Sequence, residues 1–357
     1  MFSDQKVNSG RQVELDFAKN MSLFFMILLH CLMVSLGFKN TISIYMLRGV
    51  GQLLGEPFAA TVFMFAMGVG FVYSRNQSPE YLVKRGIKQM LLGLVVNIGE
   101  FFIPHFLAGY LLGEWDIFPI AGGLLLFCVD ILAFAGMAMI VMGVFKKMGL
   151  STVQIVAIAY VLSVAGSFLR FSDFGSNVPN LVAGYFIGSK GGFTAFPLFN
   201  WFIFPATGLL FGEYYIRCTN KKKLLRGWLV AYVISITYFV VSWFIPGGFL
   251  SDTHHYYFMT TIDAQFCLIC IYGIIGMSYF VTGFLPENIK TFFSNSSKNL
   301  NIIYIVQWFL IPLTYIFICY FNRDIVFNDS SVIVIAILEV AIATAIAAGY
   351  KKRIKNS

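Results

Sequence analysis

The chain has 357 residues, of which 58% are hydrophobic, 17% aromatic and only 12% charged, about half the charged content of a soluble domain. That composition excludes an ordinary soluble fold, and apolar runs from residue 18 to residue 349 without a long polar interval indicate a single membrane domain. The formal net charge of +8 does not indicate a nucleic-acid partner, because the cations sit in short clusters between apolar runs, where they set topology.

Residues 1–17 are expected to form a cytoplasmic amino-terminal segment, 18–349 the membrane domain and 350–357 a basic cytoplasmic tail. The first apolar stretch follows Lys6, Arg11 and Lys19, is a full span long and lacks a small-residue cleavage site, so it is expected to stay as a signal anchor. Runs able to cross about 30 Å of hydrocarbon follow near 18–38, 56–74, 87–108, 120–145, 152–168, 195–215, 226–244, 263–284, 301–320 and 331–349. The predicted fold is therefore an all-α, polytopic integral membrane protein, a bundle of about ten transmembrane helices. The interval 169–194, with Arg170, Asp173, Pro179 and several glycines, is expected to be an external loop with room for a re-entrant piece.

Charge placement orients the bundle. Lys6, Arg11 and Lys19 precede the first span; Arg75, Lys84, Arg85 and Lys88 follow the second. Later alternate connections carry Lys146 and Lys147, then Arg217, Lys221, Lys222, Lys223 and Arg226, then Lys290 and Lys298, and the tail adds Lys351, Lys352, Arg353 and Lys355. Twenty of the 25 cations thus share one side, leaving Lys39, Arg48, Arg170, Lys190 and Arg323 for the other. An even number of spans with both termini cytoplasmic preserves this segregation.

Ionisable groups inside hydrocarbon cost at least about 2.5 kcal/mol and so need a partner, a wet cavity or a function. His30 falls just beyond the middle of the first span, Asn97, Glu100 and His105 in the outer half of the third, and Asp130 near mid-membrane in the fourth. The fourth external loop supplies Asp252, His254, His255, Tyr256 and Tyr257, and Asp263 opens the eighth span. If these helices are neighbours they form a polar pocket opening outward, in which an imidazole and a carboxylate could serve as a base and its orienting partner. Glu100 and His105 are five apart, about 140° around a helix, and need not act together. His254 and His255 lack a further ligand pattern, so no metal is expected. Glu56, Glu213 and Glu339 are explained by snorkelling or interhelical hydrogen bonds. The six cysteines, including the Cys267-x-x-Cys270 pair, suggest buried small hydrophobes rather than a disulfide framework or a redox motif.

Arg11-Gln-Val-Glu-Leu-Asp16-Phe-Ala-Lys19, followed by Met-Ile-Leu-Leu-His30, resembles the opening of the transmembrane acyltransferase superfamily, where R-x-x-x-L-D-x-x-R precedes an apolar run and a histidine. The ten residues between Lys19 and His30 match the R-x10-H spacing of the polysaccharide O-acetyltransferase branch, with lysine replacing arginine and losing its bidentate fork. Phe63-Met-Phe-Ala-Met-Gly68, Lys84-Arg85-Gly86 and Phe196-Pro197-Leu-Phe-Asn200-Trp201 with Gly208 and Gly212 resemble the heparan-α-glucosaminide N-acetyltransferase-like branch. Ser297-Lys-Asn-Leu-Asn-Ile-Ile-Tyr304-Ile-Val-Gln307-Trp308 resembles a segment written S-L-x-x-Y-x-x-H in relatives, with Gln307 at the histidine position.

The resemblance implies a membrane-bound acyltransferase that moves an acyl group, usually acetyl, from cytoplasmic acetyl-CoA to a carbohydrate acceptor on the external side of a bacterial plasma membrane. His30 would be the general base or the nucleophile, with Asp130, Glu100 or His105 setting its tautomer. Lys19, Lys84, Arg85 and Lys88 would meet the coenzyme A phosphates unless they are only topology charges. His254, His255, Tyr256, Asp263 and Gln307 are the acceptor-binding candidates. Two other classes fit the same residues: a proton-coupled transporter or flippase using His30, Asp130 and Glu100 as a relay, and a scaffold without chemistry.

Overall fold

A computed structural model describes residues 1–190 and 194–356. In chain order its helices are α1 (Val13–Ser35), α2 (Ala60–Tyr73), α3 (Pro79–Asn97), α4 (Ile103–Leu112), α5 (Ile131–Lys147), α6 (Thr152–Leu169), α7 (Asn177–Gly184) and α8 (Leu198–Trp201). They continue with α9 (Ile203–Tyr215), α10 (Lys221–Leu224), α11 (Trp228–Ser242), α12 (Thr253–Tyr257), α13 (Thr261–Phe284), α14 (Glu287–Ser297), α15 (Leu300–Phe321) and α16 (Asp329–Asn356). Wider π-helical turns over Met46–Gly55 and Ile98–Phe102 run into α2 and α4. Among the described residues eight helical stretches are long and apolar enough to cross a bilayer, so the chain is a polytopic helical membrane protein.

Two of the ten expected spans take a different form. The first part of 120–145 is a 3₁₀ turn, Ala121–Phe127, with Gly123 at φ +92°, and α5 starts only after Asp130, leaving 17 helical residues. The run 195–215 is split between α8 and α9, because Pro205 has no N–H for the Trp201 carbonyl and the helical bonding breaks at that turn. The interval 169–194 contains the eight-residue α7; residues 191–193 of the interval lie outside the described residues.

The chain forms two compact units. The first comprises Met1–Leu15, Ala60–Leu94 and Phe127–Gly283. In it α2 packs along α9, and α6 packs on α8 and α9. A Cβ at Gly68 would lie 2.0 Å from the Pro205 carbonyl oxygen, and one at Gly208 2.1 Å from that of Phe65, so this seam requires both glycines. Gly86 and Gly136 also face each other, a Cβ on either lying 2.6 Å from the other's carbonyl oxygen. The F-x-F-x-x-G and K-R-G strings are thus helix-packing motifs, in which small residues let backbones approach. The amino-terminal segment is fastened by Lys221 Nζ, 2.6 Å from Glu14 Oε1, and by Asn8, whose amide donates to the Tyr215 and Cys218 carbonyls. A capping box starts α6: Ser151 Oγ accepts from the Gln154 N–H while Gln154 Oε1 accepts from the Ser151 N–H.

The second unit comprises Asp16–Ala59, Val95–Leu126 and Phe284–Ser357, and α15 is its axis, packing on α4 and α16. Ala108, Leu112, Phe118 and Ile316 form a core cluster, with Phe38 stacked 5.9 Å from Tyr315 beside it. The Arg323 guanidinium donates to the Leu111 and Leu112 carbonyls and closes the carboxyl end of α4. Thr314 on α15 donates to Glu339 on α16 at 2.5 Å, and in the first unit Thr152 on α6 donates to Glu213 on α9 at 2.6 Å. Those intramembrane glutamates are therefore held by hydrogen bonds between helices. All six cysteines are free, and five are buried.

Candidate functional site

The first-helix motif and the Ser297–Trp308 string meet at two levels. At the start of α1, Asp16 is buried and accepts from Ser297 Oγ at 2.7 Å and Ser294 Oγ at 3.2 Å, while Lys19 Nζ lies 2.9 Å from its Oδ1. Asn20 adds a bond to the Phe293 carbonyl, and Phe17 packs edge-on against Phe293. Fourteen residues further, about 21 Å along an ideal helix, the His30 Nδ1–H donates to Gln307 Oε1 at 3.1 Å. The imidazole also stacks on the Trp308 indole, with ring centroids 4.0 Å apart and planes 28° apart. Both contacts advance in the same chain direction, so α1 and α15 run parallel at this seam. With Asp16 and Lys19 at one membrane face, His30 lies past the centre of about 30 Å of hydrocarbon.

The hydrogen bond fixes the tautomer. A side-chain amide oxygen can only accept, so Nδ1 carries the proton and Nε2 keeps its lone pair. As a residue His30 is partly buried, whereas Gln307 is 0% and Trp308 6% exposed. Neither Gln307 Nε2 nor Trp308 Nε1 has a hydrogen-bond partner. Pro312, buried on the next turn of α15, has no N–H for the Trp308 carbonyl, which loosens the helix at the site. On the other flank of α1, Gly51 and Gly55 of the first π-helical stretch sit against Leu32 and Leu29.

The remaining candidates divide between the two units. In the second, Glu100 is partly buried in the π-helical turn Ile98–Phe102, a form that occurs often at functional sites. His105 lies on α4, donates from Nδ1 to the Phe118 carbonyl at 2.7 Å and packs edge-on against Trp115. In the first unit, Asp130 is the N-cap of α5, where a carboxylate suits the positive end of the helix dipole. Lys84, Arg85 and Lys88 are exposed on α3, three and four residues apart, hence on one face.

The acceptor candidates of the first unit surround α12. Asp252 caps this five-residue helix, accepting from the His255 N–H at 2.9 Å and from His255 Nδ1 at 2.7 Å. Burial pushes the Asp252 carboxyl up, but the bonds from the His255 backbone and ring outweigh it and hold it below the ordinary range. His254 is exposed, whereas Tyr256 is 3% exposed and packs edge-on to Trp201. Asp263 is 5% exposed and accepts from Tyr238 Oη, the Thr260 N–H and Thr260 Oγ1, which makes it the third residue of a capping box at the start of α13. Asn200 and Trp201 of the F-P-L-F-N-W string donate to the Met259 and Tyr257 carbonyls and tie this segment down.

The structure therefore joins His30 to Gln307 and adds Trp308, Ser294 and Ser297, to which the sequence alone assigns no role. Trp308 adjoins Gln307 in the quoted string, so its position was visible although its partner was not. Among the described residues no group of three or more His, Cys, Asp or Glu side chains could hold a metal.

A polytopic helical membrane protein with a hydrogen-bonded imidazole inside its first span has the makings of an intramembrane transferase. Residues 11–250 match the catalytic domain of heparan-alpha-glucosaminide N-acetyltransferase, about two-thirds of the chain, and the chain belongs to that family. Membership supports an acetyltransferase-type activity in the membrane. The matched stretch holds His30 but ends before Gln307 and Trp308. No curated protein matches the chain.

Proposed function

We propose that the protein transfers an acetyl group from acetyl-CoA on the cytoplasmic side to a hydroxyl or amine of a glycan on the external side, with His30 as general base. The observation that carries this reading is the Gln307 hydrogen bond, which leaves His30 Nε2 as the lone-pair nitrogen of a ring inside the first membrane span. In the step, Nε2 takes the acceptor's proton as the acceptor atom bonds to the acyl carbon. The carbon–sulfur bond then breaks with its electron pair on sulfur, and the thiolate recovers the proton from the imidazolium.

Lys84, Arg85 and Lys88, on one face of α3, are the cations assigned to the coenzyme's phosphates. His254 is the accessible acceptor contact, and His255, bonded to Asp252, keeps its segment in place together with buried Tyr256 and Asp263. Glu100 and His105, in the same unit as His30, are assigned to the polar surroundings of the transfer path. Cation segregation supports both termini on the cytoplasmic side, and the membrane assigned is a bacterial plasma membrane.

The test uses full-length protein in lipid nanodiscs with acetyl-CoA and glucosamine as probe acceptor. Release of free coenzyme A should fall by at least about 10³-fold in His30→Ala, within the range that general bases contribute. Undiminished release by a folded His30→Ala protein would reject the reading.

A further inference from the structure

Two buried donors beside His30 have no role in holding the ring. Gln307 Nε2 belongs to a side chain that is 0% exposed, and Trp308 Nε1 to one that is 6% exposed, and neither N–H meets an acceptor. A buried N–H without a partner costs about 1–3 kcal/mol, and here two occur on consecutive residues whose other atoms grip the imidazole: Gln307 through Oε1 and Trp308 through its ring face. Packing alone could be met by Leu and Phe at these positions without the penalty. The pairing of grip and idle donor points instead to an acceptor atom that arrives with a substrate.

We propose that Gln307 Nε2–H and Trp308 Nε1–H bind the carbonyl oxygen of the acyl group and hold its charge during transfer. This assignment rests on the proposed function above and deepens it. As the acceptor atom bonds to the acyl carbon, the C=O π pair moves onto oxygen; it returns as the C–S bond breaks and the sulfur leaves with its electrons. Donors already in place and shielded from water stabilise that oxygen without reorganising. Gln307 acts at both ends of its amide, accepting from Nδ1 of the base and donating to the oxygen.

Trp308→Phe tests the assignment, because it keeps the aromatic face on His30 and deletes only the N–H. In nanodiscs with acetyl-CoA and glucosamine, kcat should fall by about 10²-fold, the usual effect of losing one such donor. KM for acetyl-CoA and the pH dependence of kcat should stay in place, since the base and its tautomer are untouched. A second measurement uses the His30→Ala protein with acetyl-CoA labelled with ¹³C at the carbonyl: its infrared C=O stretch should move to lower frequency on binding, and less so in His30→Ala/Trp308→Phe. Wild-type kcat for Trp308→Phe, or the same carbonyl frequency with and without the indole N–H, would overturn the donor assignment while leaving His30 as base. Full activity of His30→Ala would instead remove the reading beneath it.

Discussion

Two histidines of this chain bond another side chain through Nδ1, and their surroundings differ in every other respect. His255 bonds Asp252, three residues away on the same short helix, with its carboxylate half exposed. His30 bonds Gln307, 277 residues away, inside a membrane span, and stacks on an indole. A charged local partner is what a helix cap supplies, and it orders one turn of loop. A neutral distant partner requires two spans in register, sets a tautomer without neutralising the ring, and here brings two idle donors with it. The contrast teaches that sequence neighbours such as the His254-His255 pair are weaker pointers to chemistry than one histidine whose partner lies elsewhere in the chain.

The comparison can be broken most forcefully at His30, where alanine should remove at least about 10³-fold of coenzyme A release, while His255→Ala in the same assay should stay within about threefold. Equal losses in the two variants would erase the distinction. Gln307→Leu follows: losing both the tautomer bond and one donor should cost about 10²–10³-fold in kcat, and in a His30→Ala background only the donor's share, about 10²-fold, should remain, a double-mutant cycle readable in coenzyme A release.

Asp16→Ala probes the register of the two spans. It removes the acceptor of Ser294, Ser297 and Lys19 and should destabilise the fold by about 1.5–3 kcal/mol, the scale of a hydrogen bond to a charged group, read as a lower Tm in nanodiscs. Activity should fall more than the folded fraction, because about 1 Å of misplacement at a reacting centre costs on the order of 10² in rate. The smallest effect concerns Asp173 in the 169–190 connection. Its carboxyl is held at about 2 by the Gly175 N–H, then the Asn180 amide, then Lys190. The depressed value means that its contribution is present above an ordinary carboxylate pKa near 4 and is lost as pH falls through about 2. Asp173→Asn should flatten the acid limb of local amide-exchange protection in this segment and leave activity at neutral pH unchanged.

Much of the membrane architecture was legible because hydrocarbon demands long apolar helices, and most predicted spans have helical counterparts. The two that differ fail for local reasons that a hydropathy window averages away: the glycine-containing turn before Asp130 and the missing N–H of Pro205. His30 was legible from its spacing to Lys19, and Gln307 from its place in the carboxyl-terminal string. Their pairing was not, because nothing in either segment states that α1 and α15 lie parallel in matching register; Asp16 and Ser297 set that register from a distance of 281 residues. Asp263 and Tyr256 are acceptor candidates from sequence because a polar residue after an external loop looks the same whether it caps a helix or meets a ligand. Only the donors Tyr238 and Thr260 and the Trp201 ring distinguish the two cases.

The most direct measurement is the protonation of the His30 ring itself, by ¹⁵N NMR of histidine-labelled protein in lipid at neutral pH, with His30→Ala identifying the resonances. A protonated Nδ1 and a bare Nε2, lost or inverted in Gln307→Leu, is the predicted result. A bare Nδ1 with the proton on Nε2 would contradict the placement of the base and the transfer chemistry built upon it.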